Sequence, residues 1–255
     1  MRLSLVIVVA VLGIAALLPG MAGGDPPSHT TGFAVVELFT SEGCSSCPPA
    51  ERLAGELIDD ARTRNRPVYV IAYHVDYWDR LGWKDRFATP EHTQRQQAYA
   101  RAWRDGRVYT PQMVVNGGVG FIGSSSRQAK REIDAALSKP AEGTLKLTAE
   151  PVKQGASTRI VVELTTPSTT EPLELTVVLI EHGVTTQVTR GENRGRTLKH
   201  DGVARVVSTC PIAAGEPVEV KLAVPVDVDP ARASVIAYVQ RAGSRVVIAA
   251  AATSE

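Results

Sequence analysis

Phe33-Ala34-Val35-Val36-Glu37-Leu38-Phe39-Thr40-Ser41-Glu42-Gly43-Cys44-Ser45-Ser46-Cys47-Pro48-Pro49-Ala50 runs from an apolar segment, across two thiols three residues apart, into a pair of prolines. Phe33 to Phe39 is mostly apolar, as expected of a strand covered on both faces. Proline is tolerated in a first helical turn, where the missing N–H costs little, so Pro48-Pro49 opens a helix. Behind them Ala50, Leu53, Ala54, Leu57, Ile58 and Ala61 recur at helical spacing, giving one apolar stripe to about Arg64. Cys44 and Cys47 thus sit where a strand turns into a helix. Residues i and i+3 of a helix are about 5–6 Å apart, a separation that a disulfide spans. A thiol there meets the positive dipole end and unpaired N–H groups, which favour a thiolate.

Downstream, Pro67 opens a β-rich run, Val68 to Val75. Thr89-Pro90 reads as an N-cap and a first-turn proline, with a helix to about Arg104 and Gly106 just beyond its end. Pro111 precedes a short strand, Gln112 to Val115. Asn116-Gly117 is a hairpin turn, and Val119 to Ile122 the returning strand. Ser125 and Gln128 have capping-box spacing before a helix bearing Ala129, Ile133, Ala136 and Leu137. The order is β-α-β-α-β-β-α.

A dithiol at the first helix start, with a proline opening the third strand, resembles the thioredoxin fold over about residues 33–138. More closely, Glu37 to Glu51, then His74-Val75-Asp76-Tyr77-Trp78-Asp79, then Tyr109-Thr110-Pro111-Gln112, is similar to an uncharacterised family of secreted thioredoxin-like proteins, classed as a domain of unknown function. A Gly-Glu-Asn-x-Gly-Arg-Thr-Leu run of that family also recurs here at Gly191 to Leu198. The resemblance implies a fold and little chemistry.

After Lys139-Pro140 the texture changes to short Val/Leu/Ile/Thr segments divided by turn residues: 144–148, 158–164, 173–180, 184–188, 203–207, 218–224, 234–239 and 245–250. That spacing predicts an all-β sandwich or barrel. The expected organisation is therefore a thioredoxin-like α/β domain over 33–139, followed by a separate β-sandwich-like domain over 141–255. Arg190 to Asp201, rich in glycine and charge, reads as a long exposed loop.

Arg2, the apolar run Leu3 to Leu18, the break at Pro19-Gly20 and the small residues Gly20 and Ala22 read as a signal peptide spanning 1–22. The alternative is an uncleaved anchor, since the run approaches spanning length. Asp25 to Gly32 reads as a disordered leader. Later segments are too short or too polar to span, so the expected location is exported, periplasmic or secreted, where disulfides persist. Lys and Arg total 28 against 27 Asp and Glu. So balanced a charge gives nucleic acid and anionic membranes no electrostatic purchase. The sequence sets no oligomeric state.

Cys44 is the candidate nucleophile and Cys47 the resolving thiol, with protein or small-molecule thiols and disulfides as partners. An inert disulfide and a metal-binding dithiol remain alternatives. Ser45-Ser46 carries neither proline nor charge and points to no extreme of potential. In the fold the chain resembles, Pro111 is cis and stands beside the dithiol, with the Thr110 backbone turned to an extended substrate; the alternative is a trans proline starting an edge strand. The resemblance also suggests Glu37 as a buried proton relay for Cys47, the alternative being a solvent-facing or arginine-paired carboxylate. Tyr77, Trp78 and Trp83 crowd the loop after the second strand, either as a recognition surface or as filling between domains. Trp78 is the candidate cover over Gly43, where many thioredoxins carry tryptophan. Cys210 reads as a small buried residue, or else as a free or linking thiol.

The five histidines lack the short spacings of zinc sites, so no metal ligand set and no cofactor is assigned. His74 could approach the dithiol and complete a soft Cu(I) site, or be simply hydrogen-bonded structure. The leading expectation is an exported thiol–disulfide oxidoreductase. Its rival is a non-catalytic binding protein, either a copper-carrying dithiol or a scaffold for partner recognition.

Overall fold

The apolar run at the start of the chain becomes strand β1 (Ala34–Thr40), buried along its whole length. It pairs in parallel with β2 (Val68–His74), from Ala34↔Val68 to Thr40↔His74, and antiparallel with β3 (Gln112–Val115). Helix α1 (Pro48–Thr63) returns the chain from β1 to β2, and a 3₁₀ turn (Asp76–Leu81) leads to α2 (Pro90–Ala102). β3, β4 (Phe121–Ile122) and α3 (Ser126–Leu137) follow. The expected β-α-β-α-β-β-α order is observed in this computed structural model, whose described residues are 31–104, 106–166 and 169–253. The expected signal peptide at 1–22 lies outside the described residues.

Local chemistry accounts for most of the boundaries. Thr89 Oγ1 caps α2 by accepting from the His92 N–H at 3.3 Å. Asn116 (φ 47°) and Gly117 (φ 75°) occupy the two left-handed positions of the β3–β4 turn. The capping box expected at Ser125 does not form, because the Ser125 side chain makes no cap hydrogen bond.

Alternation along β1 assigns its side chains to opposite faces. Ala34, Val36 and Leu38 pack with Ala50, Leu53 and Ala54 of α1 and with Ala129 and Ile133 of α3. Phe33, Val35 and Phe39 pack on the other face with Tyr73, and with Tyr99 of α2.

The second half supplies β5 (Thr144–Ala149), β6 (Ser157–Thr165), β7 (Leu173–Glu181), β8 (Val184–Gln187), β9 (Thr197–His200), β10 (Val203–Pro211), β11 (Val218–Ala223), β12 (Ala233–Arg241) and β13 (Val247–Ala252). All eight expected segments are strands; β9 is an addition. The half continues the sheet of the first. β10 pairs with β2 through Val203↔Ala72, so one mixed eight-stranded sheet runs β13-β12-β7-β10-β2-β1-β3-β4 across both halves. Its physical cause is a shared core. Phe33, Tyr73 and Tyr99 belong to the same buried cluster as Ile180, Ile236 and Tyr238. A three-stranded sheet, β11-β6-β5, shares a second cluster with the far end of the large sheet, through Ile160, Val162 and Leu164 against Leu175, Val177 and Val235.

Candidate functional site

The carboxyl ends of the parallel strands β1 and β2 point to the turn that carries the dithiol. Cys44 and Cys47 are joined as a disulfide, with Cα atoms 5.4 Å apart. Cys47 holds the N-cap position of α1, and Cys44 lies in the turn before it, its N–H donating to Ser41 O at 3.1 Å. The expected supply of free helix N–H groups is missing. Pro48 and Pro49 have none, and those of Ala50 and Glu51 are taken by Cys47 O at 2.8 and 3.1 Å. What remains for a thiolate is the dipole of α1 and the Ser46 hydroxyl, 3.3 Å from Cys44 Sγ.

Thr110-Pro111 is a cis peptide. The Thr110 carbonyl stands 3.9 Å from Cys44 Sγ, and Thr110 Oγ1 accepts from Trp78 Nε1 at 2.8 Å. Trp78 covers Gly43 as expected: a Cβ on Gly43 would come within 3.1 Å of Trp78 Cβ. Tyr77 turns instead to α2, its hydroxyl donating to Gln96 at 3.2 Å, and burial pushes that phenol up to about 12. Pro111, Thr110 and Trp78 are thus brought to the dithiol, and Tyr77 is a neighbour braced behind them.

Both cysteines are completely buried, while Ser45 and Ser46 between them are exposed. The cover comes from the segment expected to be an exposed loop. Asn193, itself fully buried, donates its side-chain amide to the carbonyls of Glu42 at 2.8 Å and Cys44 at 2.9 Å. Glu192 accepts from the Ser45 N–H at 3.0 Å, and Arg196 holds the Asn193 side-chain oxygen at 3.0 Å. Gly191 (φ 71°) lies against Trp83, where its own missing Cβ would stand 3.1 Å from Trp83 Cβ. The Gly-Glu-Asn-x-Gly-Arg run is therefore a strap across the dithiol turn. Of the expected loop Arg190 to Asp201, Thr197–His200 is a strand, paired with β8.

Residues 35–240 match the family described as a protein of unknown function, DUF1223. The chain belongs to the DUF1223 family. A structural-genomics target from Agrobacterium tumefaciens has the same fold, with a TM-score of 0.63 and 28% identity over 86% of this chain and 92% of its own. HBP35 of Porphyromonas gingivalis aligns over 88% of this chain and 76% of its own, at 16% identity and a TM-score of 0.61, a likeness of fold alone. No curated protein matches the chain.

In this DUF1223 chain Glu37 is not behind the dithiol, which corrects the proton-relay expectation. Its side chain projects to the α2 face, while α1 and the cysteines lie on the other. There the carboxylate accepts from Arg95 Nε at 2.5 Å, from Tyr238 OH at 3.2 Å and from Tyr99 OH. The paired carboxylate of Glu37 holds the Arg95 guanidinium above its ordinary value against burial. The alternative of an arginine-paired carboxylate is the one found.

The titratable groups that do lie beneath the dithiol carry little mark in the sequence. Glu42, Glu51, His74, Asp85 and His200 are all buried, and they come from the dithiol turn, α1, β2, the loop before α2, and β9. Glu51 is one helical turn along from Cys47. His74 Nδ1 lies 2.7 Å from Asp85, and His200 Nε2 lies 3.2 Å from Glu42. Thr40 donates to Glu51 at 2.7 Å, and Trp83 Nε1 donates to Glu42 at 2.8 Å. Burial lowers the His200 imidazolium, but Glu42 and Glu51 outweigh it and push His200 up to about 10. Burial likewise raises Glu51 and Asp85, and His200 and His74 respectively bring them below the ordinary carboxylate range. His74 has two possible metal ligands beside it among the described residues. Its partners at ligating distance are Glu51 and His200, with no sulfur in the group. Cys210 on β10 is a half-buried free thiol whose pKa burial raises.

Proposed function

We propose that this DUF1223 protein is an exported, thioredoxin-like thiol–disulfide oxidoreductase that exchanges the Cys44–Cys47 disulfide with partner thiols. The observation that carries this reading is the bonded pair at the start of α1, with Cys44 Sγ against the Thr110 carbonyl. A structural cross-link would gain little from closing so short a loop. No helix of the described residues is long and apolar enough to cross a membrane.

The exchange balances as follows. A partner thiolate attacks Cys44 Sγ, the Cys44–Cys47 bond breaks, and Cys47 leaves as a thiolate at the positive end of α1. A second partner thiolate then attacks the partner sulfur of the mixed disulfide and displaces Cys44. The partner loses two electrons, which the dithiol gains; the reverse sequence oxidises Cys44 and Cys47. Full burial of both sulfurs adds a condition. Ser45 must part from Glu192, and the Cys44 carbonyl from Asn193, before a partner reaches Cys44.

Redox titration of the pair against glutathione tests the reading. A measurable equilibrium, lost in Cys44→Ser, is expected. A potential below about −300 mV, with no exchange with glutathione or a reduced test protein, would overturn it in favour of an inert disulfide.

A further inference from the structure

We propose that Glu51, His74 and His200 form a binding site for one first-row divalent cation of zinc type, set beneath the dithiol turn. One ligand atom from each of the three residues lies within 4.8 Å of the others, and all three residues are buried. Donors on a tetrahedron of radius about 2.1 Å stand about 3.4 Å apart, so from separations within 4.8 Å the side chains need close by at most about 1.4 Å.

The decisive observation is His74 Nε2. It is buried and has no hydrogen-bond partner. His74 Nδ1 is engaged with Asp85, which leaves the Nε2 lone pair directed into the cluster. His200 Nδ1 is likewise buried without a hydrogen bond, lying 3.0 Å from Glu51 but out of line with it. A proton on His200 could answer Glu51, but it leaves His74 Nε2 with nothing. A cation between the two imidazoles and Glu51 engages all three groups.

The surrounding shell has the form that metal-binding histidines use. Each imidazole hands its other nitrogen to a carboxylate, His74 to Asp85 and His200 to Glu42, which fixes ring orientation and tautomer. Thr40 holds the second oxygen of Glu51. The buried carboxylates Glu42, Glu51 and Asp85 have only imidazoles as ion-pair partners among the described residues. That leaves the pocket short of positive charge. Two imidazoles and one carboxylate suit zinc and its neighbours and are a poor set for calcium or magnesium. Three protein ligands leave one position free. A cleft of ≈ 400 Å³ between α1 and β9 has Glu51, Thr197 and Leu198 in its wall and offers an approach. The ligands come from both halves of the chain, so the ion would also tie β9 to α1 and β2.

The site is independent of dithiol exchange, and the test separates the two. The full chain is stripped with a chelator and titrated with Zn²⁺ against a competing dye, and with Co²⁺ by visible absorption. One equivalent is expected, with d–d bands and no sulfur-to-metal charge transfer. His74→Gln and His200→Gln should each lose affinity by about a hundredfold or more, and Asp85→Asn by about 10–100-fold. The Cys44→Ser/Cys47→Ser variant should bind as the parent does. Circular dichroism identifies any histidine variant that fails to fold; Asp85→Asn and the parent Co²⁺ spectrum then carry the test. No uptake of either ion by the parent chain overturns the proposal. So does unchanged affinity in the folded histidine variants, or binding that disappears with the cysteines.

Discussion

Asn193 and Cys44 are joined across 149 residues of chain by a 2.9 Å hydrogen bond from the asparagine side-chain amide to the cysteine carbonyl. The same amide serves Glu42, so one buried side chain fixes both ends of the turn that presents the dithiol. Asn193→Ala leaves the buried Glu42 carbonyl without a donor and the Cys44 carbonyl with the Cys47 N–H alone, at 3.2 Å. An orphaned buried carbonyl costs about 1–3 kcal/mol, and a loss of that size is expected in denaturant unfolding. Reduction of the folded protein by dithiothreitol should accelerate by about tenfold, because local opening governs access to buried sulfur. An unchanged reduction rate would show that the strap does not control access.

Glu37 and Arg95 form a nearly buried pair on the opposite face of the sheet from the dithiol. Arg95→Leu strands the Glu37 carboxylate among Tyr99 and Tyr238, and a loss of about 3–5 kcal/mol is expected. Glu37→Gln should lower stability while leaving the rate and pH profile of dithiol exchange within about twofold, as expected of a residue distant from the reacting sulfurs. A flattened pH profile in Glu37→Gln would restore the proton-relay role.

His92 sits behind β2 with its Nδ1 2.9 Å from the His74 carbonyl. Burial depresses its pKa from 6.5 to about 4, so the folded state keeps it neutral where the unfolded chain protonates. Stability from this group is fully present above about pH 6.5 and is lost as pH falls toward 4, by at most about 3 kcal/mol at about 1.4 kcal/mol per unit. Urea denaturation of parent and His92→Gln at pH 7, 5.5 and 4.5 checks this. The parent should lose more stability than the variant over that range, and parallel losses would contradict it.

The parts of this fold that local chemistry dictates were readable along the chain. Pro48-Pro49, Thr89-Pro90 and Asn116-Gly117 mark their own positions, and the stripe from Ala50 to Ala61 names the face of α1 that packs. The cluster under the dithiol was not readable, because its members stand at 42, 51, 74, 85 and 200 and only folding brings them together. His200 was hidden further. Thr197-Leu198-Lys199-His200 alternates exposed and buried, but with a single apolar residue it carries little of a strand pattern. Glu51 lies off the apolar stripe of α1, and helical spacing names no partner for it. The Gly-Glu-Asn-x-Gly-Arg run was visible as a motif; its partners, two backbone carbonyls and one N–H, leave no trace in side-chain identity. The change of texture at Lys139-Pro140 marks a change in secondary structure and the start of a core cluster of its own, from Leu145 to Ala249, while a second cluster spans both halves.

Continuity of the sheet makes the last prediction. At the junction, Gly202 O accepts from the Ala72 N–H at 2.8 Å, and Gly202 itself has φ 67°. A Cβ there would stand 2.8 Å from the Val70 carbonyl, a backbone atom that cannot swing away. Gly202→Ala therefore combines a left-handed backbone with a forced parting of β10 from β2, and a loss of about 2–4 kcal/mol is expected. The core cluster that joins Tyr73 and Tyr99 to Ile180 and Tyr238 should make the parent unfold in one cooperative step. All three tryptophans lie in the first half, and Trp78 and Trp103 pack against its own residues, so their fluorescence is weighted to that half. Amide hydrogen exchange along β7 and β12, followed through the denaturant series, reports the second half. The two probes should coincide in the parent and shift to lower denaturant in Gly202→Ala. Separate transitions in the parent would mean that the halves are independent domains resting edge to edge, with the β2–β10 pairing adding nothing to either.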